Sequence, residues 1–217
     1  MLFRSPPRHK YTNHGSMFAV HAAYRREEAD YKGQPYLVAD PDRVTQWSAL
    51  LGSLGPEPKI GIAWSGGSPL TQQATRRLDL EQLVPLLRIP NVHWVSLEYR
   101  DRCDDLEALR ARRSIMVHDW PWGTQTDDYD DTAALVASLD LVISVPTTVV
   151  HLAGALGVPT WCMVHESPNV HYAGSGGRLA YYGDTVELIR RSDGDWGSAI
   201  KTVAGKLSGW LGERKAA

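Results

Sequence analysis

The sequence predicts an α/β fold with a doubly wound, mainly parallel sheet of six strands. From Lys59 onward, short apolar runs alternate with amphipathic stretches, the pattern of strands and helices joined by right-handed crossovers. The runs 141–145 and 159–164 are apolar and β-branched, as in strands that are covered on both faces. We expect the strand order 3-2-1-4-5-6, with residues 59–217 as the sheet domain and residues 1–58 as a connector and helix.

The elements follow in chain order. The segment 17–31 is compatible with a short helix, and a clearer helix starts near Asp40 or Asp42 and ends at Gly52 or Gly55. The predicted strands are 59–64, 92–97, 114–118, 141–145, 159–164 and 185–191. The predicted helices are 78–88 with Pro85 as an interruption, 103–113, 131–139 started by Asp130 or Asp131, 147–156, and 195–211. Loops are predicted over 65–77, 119–130 and 165–184.

The stretch 141–164 carries the strongest functional signal. Its middle is helical, because Val149, Leu152, Ala153 and Leu156 share one face. Gly157 is a helix stop signal, and the hydroxyl of Thr147 is expected to cap the start. The turn before this helix lies at the carboxyl end of a strand, where open α/β sheets bind ligands and helix N-termini attract phosphate. Thr147, Thr148 and His151 would then face an anionic ligand; the alternative is a capping threonine and a packed histidine.

The loop after the first strand is the second candidate site. Ser65, Gly66 and Gly67 would let the backbone approach a ligand closely, and Arg76 and Arg77 would supply charge to a phosphate. The loop matches neither the dinucleotide-binding glycine pattern nor a P-loop. The alternative is a flexible turn followed by a solvated arginine pair.

No metal or cofactor is expected. The sequence matches D-x-D, a pattern that can hold a divalent metal, at 128–130 and at 193–195. Both matches stand at the start of a predicted helix, where carboxylates are favoured by the helix dipole. His118, His165 and His171 lack zinc spacing, and no nucleophile motif is present. Cys103 and Cys162 do not form a disulfide framework, and Cys162 is expected to be a buried apolar residue.

Composition favours a soluble globular protein of 217 residues, with 43% hydrophobic residues and a formal net charge of −2. There is no basic block, so nucleic acid is not expected as a partner. No apolar run approaches ~20 residues, so no membrane-spanning helix is expected. The first ten residues lack the apolar centre of a signal peptide, and a cytoplasmic location is therefore predicted.

Several blocks resemble a known family. They are KIGIAWSGG, VHWVSLEY and DDYDDTAALVASLDLVISVPTTVVHLAGALGVPTW, and they look like the C-terminal half of bacterial glycosyltransferases of the heptosyltransferase type, glycosyltransferase family 9. The closest likeness is to the form fused to tetratricopeptide repeats, which is also similar to the catalytic region of O-GlcNAc transferase. In such GT-B-type enzymes the C-terminal Rossmann-like domain binds the nucleotide-sugar donor. The N-terminal domain binds the acceptor and usually supplies the base.

The resemblance implies donor-binding roles for Ser65, Gly66, Arg77, Glu98, Asp127, Tyr129, Thr147, Thr148 and His151. Arg77 would contact the diphosphate, Glu98 would lie near the nucleotide, and residues 127–131 would border the base. Thr147, Thr148 and His151 would meet the diphosphate or the sugar. Sugar transfer would need no metal, because helix N–H groups, hydroxyls and an arginine stabilise the charge on the leaving diphosphate.

The chain departs from the family in two places. Pro146 stands where many members carry Asp before the first threonine. Only about 58 residues precede the sheet domain, which is short for a second Rossmann-like domain, so the acceptor half and its base are expected to be missing. An acceptor protein or glycan, and a partner acceptor domain or a second copy of the chain, are the expected partners. The alternatives are a non-catalytic nucleotide-binding or protein-interaction module and an epimerase-like sugar-nucleotide enzyme.

Overall fold

The computed structural model describes residues 30–67, 76–168, 170–172, 176–192 and 194–216. The short helix expected over 17–31 lies almost wholly outside these ranges. The described residues form one sheet of seven strands, in the order β3-β2-β1-β4-β5-β7-β6. The strands are β1 Lys59–Ala63, β2 His93–Ser96, β3 Val117–His118, β4 Leu141–Ser144, β5 Thr160–Val164, β6 Arg178–Leu179 and β7 Gly183–Arg190.

The predicted parallel sheet is confirmed. Every pair of neighbouring strands is parallel except β6 and β7, which are antiparallel. The predicted order 3-2-1-4-5-6 holds when β7 is counted as the sixth strand. The extra strand β6 lies at the edge, within the predicted loop 165–184, and its two residues are too few to show an alternating pattern.

Seven α-helices connect and cover the described strands. They are α1 Pro41–Gly52, α2 Val84–Leu87, α3 Cys103–Arg113, α4 Pro121–Thr124, α5 Tyr129–Ala137, α6 Thr148–Leu156 and α7 Trp196–Ala216. Turns of 3₁₀ helix cover Leu80–Leu83, Val170–Tyr172 and Ala180–Tyr182. Among the described helices, none combines the length and the apolar character that a membrane crossing requires.

Several helices differ in their bounds from the prediction, among them α7, which runs to Ala216 and not to residue 211. The segment 78–88 divides into a 3₁₀ turn and the short helix α2, with Pro85 in the first turn of α2, where a missing N–H is tolerated. Helix α5 starts at Tyr129 rather than at 131, because the Asp128 carboxylate accepts a hydrogen bond of 3.2 Å from the N–H of Asp130. The short helix α4 lies in the predicted loop 119–130.

The sheet is covered on both faces, as its apolar strands predicted. Along β4, Leu141 and Ile143 pack with the side chains of α2, α3 and α7. Val142 points to the other face and packs with α1, α5 and α6. Helix α1 belongs to this second layer through Trp47, which is 4% exposed. Cys162 is buried in β5, and burial raises the pKa of its thiol, which agrees with the predicted role of an apolar residue.

Helix α6 forms the crossover between the parallel strands β4 and β5, as predicted. Its apolar face, Val149, Leu152 and Ala153 with the partly buried Leu156, packs in the second layer. Gly157 ends the helix with φ 83°, a left-handed conformation that glycine adopts without the strain of a side chain. The N-terminus of α6 is thereby fixed at the carboxyl end of β4.

Candidate functional site

A cleft of about 990 Å³ opens at the carboxyl edge of the sheet. It lies where the chain leaves β1 toward β2 on one side and leaves β4 toward β5 on the other. Such a switch point is the usual ligand site of open α/β sheets. The lining residues are Ala63, Ser65, Gly66, Gly67, Arg76, Leu97, Tyr99, Thr124, Thr126, Tyr129, Thr132, Pro146, Thr147, Thr148, Val149, His151, Ser167, Pro168, His171 and Tyr172.

Gly66 brings the β1 loop against the β4 loop. A Cβ atom at this position would lie 2.6 Å from the carbonyl oxygen of Pro146 and 3.1 Å from Cγ2 of Thr147. The N–H of Gly66 donates a 2.9 Å hydrogen bond to the carbonyl of Arg76. Only glycine fits between these backbones, so Gly66 shapes the floor of the cleft, and its predicted place at the site agrees with the structure.

Glu98 lies beneath the β1 loop and does not line the cleft. It is 1% exposed, and its carboxylate accepts hydrogen bonds from the N–H groups of Trp64 (2.7 Å) and Ser65 (2.8 Å) and from the Ser65 hydroxyl. Arg102 donates to Ser65 Oγ at 2.8 Å and to Glu98 at 3.4 Å. The expected position of Glu98 beside a nucleotide is therefore corrected, because the residue holds the loop from below. Ser65 lines the cleft with its hydroxyl engaged in this network.

The N-terminus of α6 faces the cleft through Thr147 and Thr148. Thr147 occupies the cap position, but its hydroxyl lies 3.1 Å from Ser144 Oγ and makes no hydrogen bond with the helix. The predicted hydroxyl cap is therefore wrong. The N–H groups of a first helical turn have no partner within the helix. Together with the helix dipole they make this end of the cleft attractive to an anion.

Arg76, and not Arg77, lines the cleft. The Arg76 guanidinium lies over Gly67, where a Cβ atom would come within 2.5 Å of it. Arg77 faces a separate, smaller cleft of about 170 Å³ that also contains Asp79 and Glu81. The antiparallel bridge between Ser65 and Arg77 explains the difference, since successive residues of an extended segment point to opposite sides. Of the two arginines expected to face a phosphate, Arg76 is therefore the one at this cleft.

His151 lines the cleft, but both of its ring nitrogens are engaged. Nε2 lies 2.8 Å from the hydroxyl of Tyr172, and Nδ1 lies 3.2 Å from the hydroxyl of Tyr182. Burial lowers the pKa of His151, and the nearby His171 lowers it further. The structure therefore combines the two sequence interpretations, because His151 stands at the cleft wall and is also packed and hydrogen-bonded.

Of the two residues predicted from the loop before α5, one lines the cleft and the other does not. Tyr129 lines the cleft and is 47% exposed, whereas Asp127 is exposed and lies outside the lining. Sequence reasoning missed Tyr99 and Tyr172, which reach the cleft from the β2 loop and the β5 loop. The aromatic content of 165–184 was the available signal for Tyr172, but its partner His151 is 21 residues away.

The described lining of the cleft contains an arginine and no opposing carboxylates. Arg76 lines it, and none of its described lining residues is Asp or Glu. Asp128 is occupied elsewhere, because it caps α5 and pairs with Arg43 at 2.8 Å. Asp193 of the second D-x-D match lies outside the described residues. The described cleft is thus electrostatically suited to an anion.

The pH dependence of stability should follow His151 and His118, whose pKa values are both lowered by burial. Because the folded-state pKa lies below the ordinary value of 6.5, the unfolded chain takes up a proton first as the pH falls. The free energy of unfolding should be fully present above pH 6.5 and fall as the pH drops toward the folded-state pKa. Urea denaturation at a series of pH values from 8 down to 5 measures the free energy of unfolding. A free energy of unfolding that increases as the pH is lowered would contradict this prediction.

The chain is similar in sequence to part of a known protein, although no protein-family model matches it. The protein FlbA of Caulobacter vibrioides is 37% identical over 142 residues, which are 64% of this chain and 24% of FlbA. The chain thus spans about a quarter of the length of this curated relative.

Two solved structures have a similar architecture. One is a glycosyl transferase family 9 protein from Veillonella parvula, with a TM-score of 0.60 and 11% identity over 85% of this chain and 56% of that one. The other is the ADP-heptose lipopolysaccharide heptosyltransferase II of Escherichia coli, with a TM-score of 0.55 and 16% identity over 83% of this chain and 54% of that one. The described residues therefore have the Rossmann-like α/β fold of one part of these glycosyltransferase structures.

Proposed function

We propose that the chain is the donor-binding half of a nucleotide-sugar-dependent glycosyltransferase. The observation that carries the proposal is the meeting of Arg76 and the N-terminus of α6, with Thr147 and Thr148, in one cleft at the switch point of the sheet. A volume of about 990 Å³ is at the upper end of the size expected for a small-molecule site. The similarity to family 9 structures supports the same assignment.

The chemistry of sugar transfer fits these residues. As the bond between the sugar and the β-phosphate breaks, negative charge builds on the phosphate oxygens. The N–H groups at the start of α6, the hydroxyls of Thr147 and Thr148, and the Arg76 guanidinium would stabilise that charge without reorganising. The loop of Gly66 would let the diphosphate approach the backbone.

The two ends of the cleft suggest where the rest of the donor lies. The loop after β2 contributes Tyr99 and the start of α5 contributes Tyr129, two exposed aromatic rings that suit a nucleotide base. The β5 loop contributes His171, which suits the hydroxyls of a sugar. Pro146 offers no carboxylate to the sugar, so recognition would differ from members with Asp at that position.

The acceptor would be bound by a second protein surface that faces the cleft, which we call the acceptor wall. The chain covers little more than half of each similar structure. We infer that an acceptor-binding domain or a second copy of the chain covers the cleft, and that the acceptor is a protein or a glycan. The tetratricopeptide fusion, the similarity to O-GlcNAc transferase and the cytoplasmic location stay predictions.

A non-catalytic nucleotide-binding module is the second candidate. The observation in its favour is that the described lining residues include no carboxylate able to act as a base, and that both nitrogens of His151 contact tyrosine hydroxyls. Incubation of the chain together with the remaining regions of FlbA, with radiolabelled UDP-, GDP- and ADP-sugars and a bacterial lysate as acceptor source, distinguishes the two. Label transferred to protein or glycan under these conditions supports the transferase, and donor binding that still gives no transfer supports the module.

Donor binding should not require a divalent metal. The described lining of the cleft lacks carboxylates, and Asp128 of the first D-x-D match is paired with Arg43. We expect the affinity for a nucleoside diphosphate to be the same, within about twofold, in EDTA and in Mg²⁺ or Mn²⁺, since neither ion has a carboxylate anchor here. Calorimetry measures both conditions. Loss of binding in EDTA that either metal restores would contradict this prediction.

A further inference from the structure

The geometry points to Tyr172 as a hydrogen-bond donor to the anionic group of the ligand, held in that role by His151 and Tyr182. This inference rests on the proposed function. The three side chains form a tyrosine–histidine chain, in which the Tyr182 hydroxyl is 3.2 Å from Nδ1 of His151 and the Tyr172 hydroxyl is 2.8 Å from Nε2. Tyr172 and His151 line the cleft, whereas Tyr182 lies behind them as a positioning residue.

The protons in this chain allow two arrangements. A neutral imidazole has one N–H and one lone pair, and the lowered pKa of His151 keeps the ring neutral near pH 7. In one arrangement Tyr182 donates to Nδ1, and Nε2–H donates to the oxygen of Tyr172, which leaves the Tyr172 hydrogen available. In the other, Tyr172 donates to Nε2 and has no hydrogen to offer.

An anionic oxygen in the cleft would select the first arrangement, because only that one presents a donor. Burial raises the pKa of Tyr172, so its hydroxyl keeps its hydrogen, while the Arg76 guanidinium acts in the opposite sense from nearby. Tyr172 and Arg76 both line the cleft, so both are available to an anionic group bound there. Hydrogen bonds in such a chain also strengthen one another in a partly buried site.

The surrounding structure fixes the chain of contacts. Gly154 follows His151 by one turn of α6, and a Cβ atom there would lie 2.5 Å from Cγ of Tyr182, so glycine lets the Tyr182 ring lie against the helix. Tyr36 stacks on the other side of that ring at 6.3 Å. Arg190 donates a 2.9 Å hydrogen bond to the carbonyl of Tyr172 and ties its 3₁₀ turn to β7.

Calorimetric titration with ADP, GDP and UDP tests the ligand contact. Tyr172→Phe should weaken binding roughly 10- to 100-fold, the range for a hydrogen bond to a charged group. Tyr182→Phe should weaken it roughly 3- to 10-fold, as for a neutral hydrogen bond. Tyr181→Phe, at a neighbouring ring that packs edge-on to Tyr31, is the matched control and should bind like the wild type. Near-ultraviolet circular dichroism verifies that each variant is folded.

Nitrogen-15 NMR of labelled histidine tests the chain itself, with His151→Gln to assign the signal. In the wild type with bound diphosphate, the proton of His151 should reside on Nε2. In Tyr172→Phe it should move to Nδ1, because Nε2–H then lacks its acceptor while Nδ1–H can donate to the Tyr182 hydroxyl. Wild-type affinity in Tyr172→Phe, or a proton on Nδ1 in the wild type with bound diphosphate, overturns the inference. If the wild type itself binds none of the three diphosphates, the proposed function fails and the donor role of Tyr172 falls with it.

Discussion

Replacing Glu98 by alanine should lower the free energy of unfolding by about 3 kcal/mol, the order expected when a buried, hydrogen-bonded charge loses its partner. Glu98 is 1% exposed, and its removal leaves the N–H groups of Trp64 and Ser65 without an acceptor. The Arg102 guanidinium, whose side chain is only 15% exposed, loses its buried counter-ion as well. The β1 loop beside Gly66 should loosen, so nucleotide affinity should fall with stability.

Urea denaturation at pH 7 measures this effect. Glu98→Gln keeps an oxygen for the two N–H groups and should cost less than the alanine variant. Glu107→Ala, on the exposed face of α3, is a control that should stay within about 0.5 kcal/mol of the wild type. A Glu98→Ala protein as stable as that control would show that the network does not hold the loop.

The second large effect concerns catalysis by these 217 residues alone. We expect them to bind a nucleoside diphosphate but to transfer sugar at least about 100-fold more slowly than when an acceptor wall is present, because a positioned general base alone contributes roughly 10²–10⁴-fold. Orientation of the acceptor and exclusion of water also require a covered cleft. Under the proposed function the described cleft would hold the leaving diphosphate, but its described lining residues include no carboxylate base.

Turnover of a radiolabelled donor by the purified monomer measures this directly. Donor binding with little or no transfer is the expected result. Rapid transfer by the monomer would refute the prediction, and it would show that residues 1–58 or the 165–183 segment supply the wall and the base. Addition of the remaining regions of FlbA, the longer relative, would test whether a second wall raises the rate.

The central β4–α6–β5 unit was predictable because its signals are local. Apolar runs mark the two strands, the spacing from Val149 to Leu156 marks the helix, and Gly157 marks its end. The parallel, doubly wound sheet followed from the alternation of such units. The short elements β6 and α4 were missed, because two and four residues do not complete a recognisable period.

The site was predictable in its position but not in its side chains. Whether Arg76 or Arg77 faces the cleft depends on the pairing of residues 65 and 77, which no local pattern encodes. Glu98 acts on a loop that begins 34 residues earlier, and its placement below that loop is a tertiary property. The hydroxyl of Thr147 turns to Ser144 instead of to the helix, a choice that propensity alone does not determine.

Calorimetric titration of the wild type with ADP, GDP and UDP, and with the corresponding nucleotide sugars, tests the donor site most directly. The account predicts binding with a Kd of ~0.1–1 mM, or about 4–5.5 kcal/mol, since one wall leaves the donor partly solvated. The double variant Thr147→Ala with Thr148→Ala should lose about 1–3 kcal/mol of that, as expected for hydrogen bonds to a charged group. Absence of binding to every diphosphate at millimolar concentration, or undiminished binding by the double variant, would contradict the assignment of this cleft.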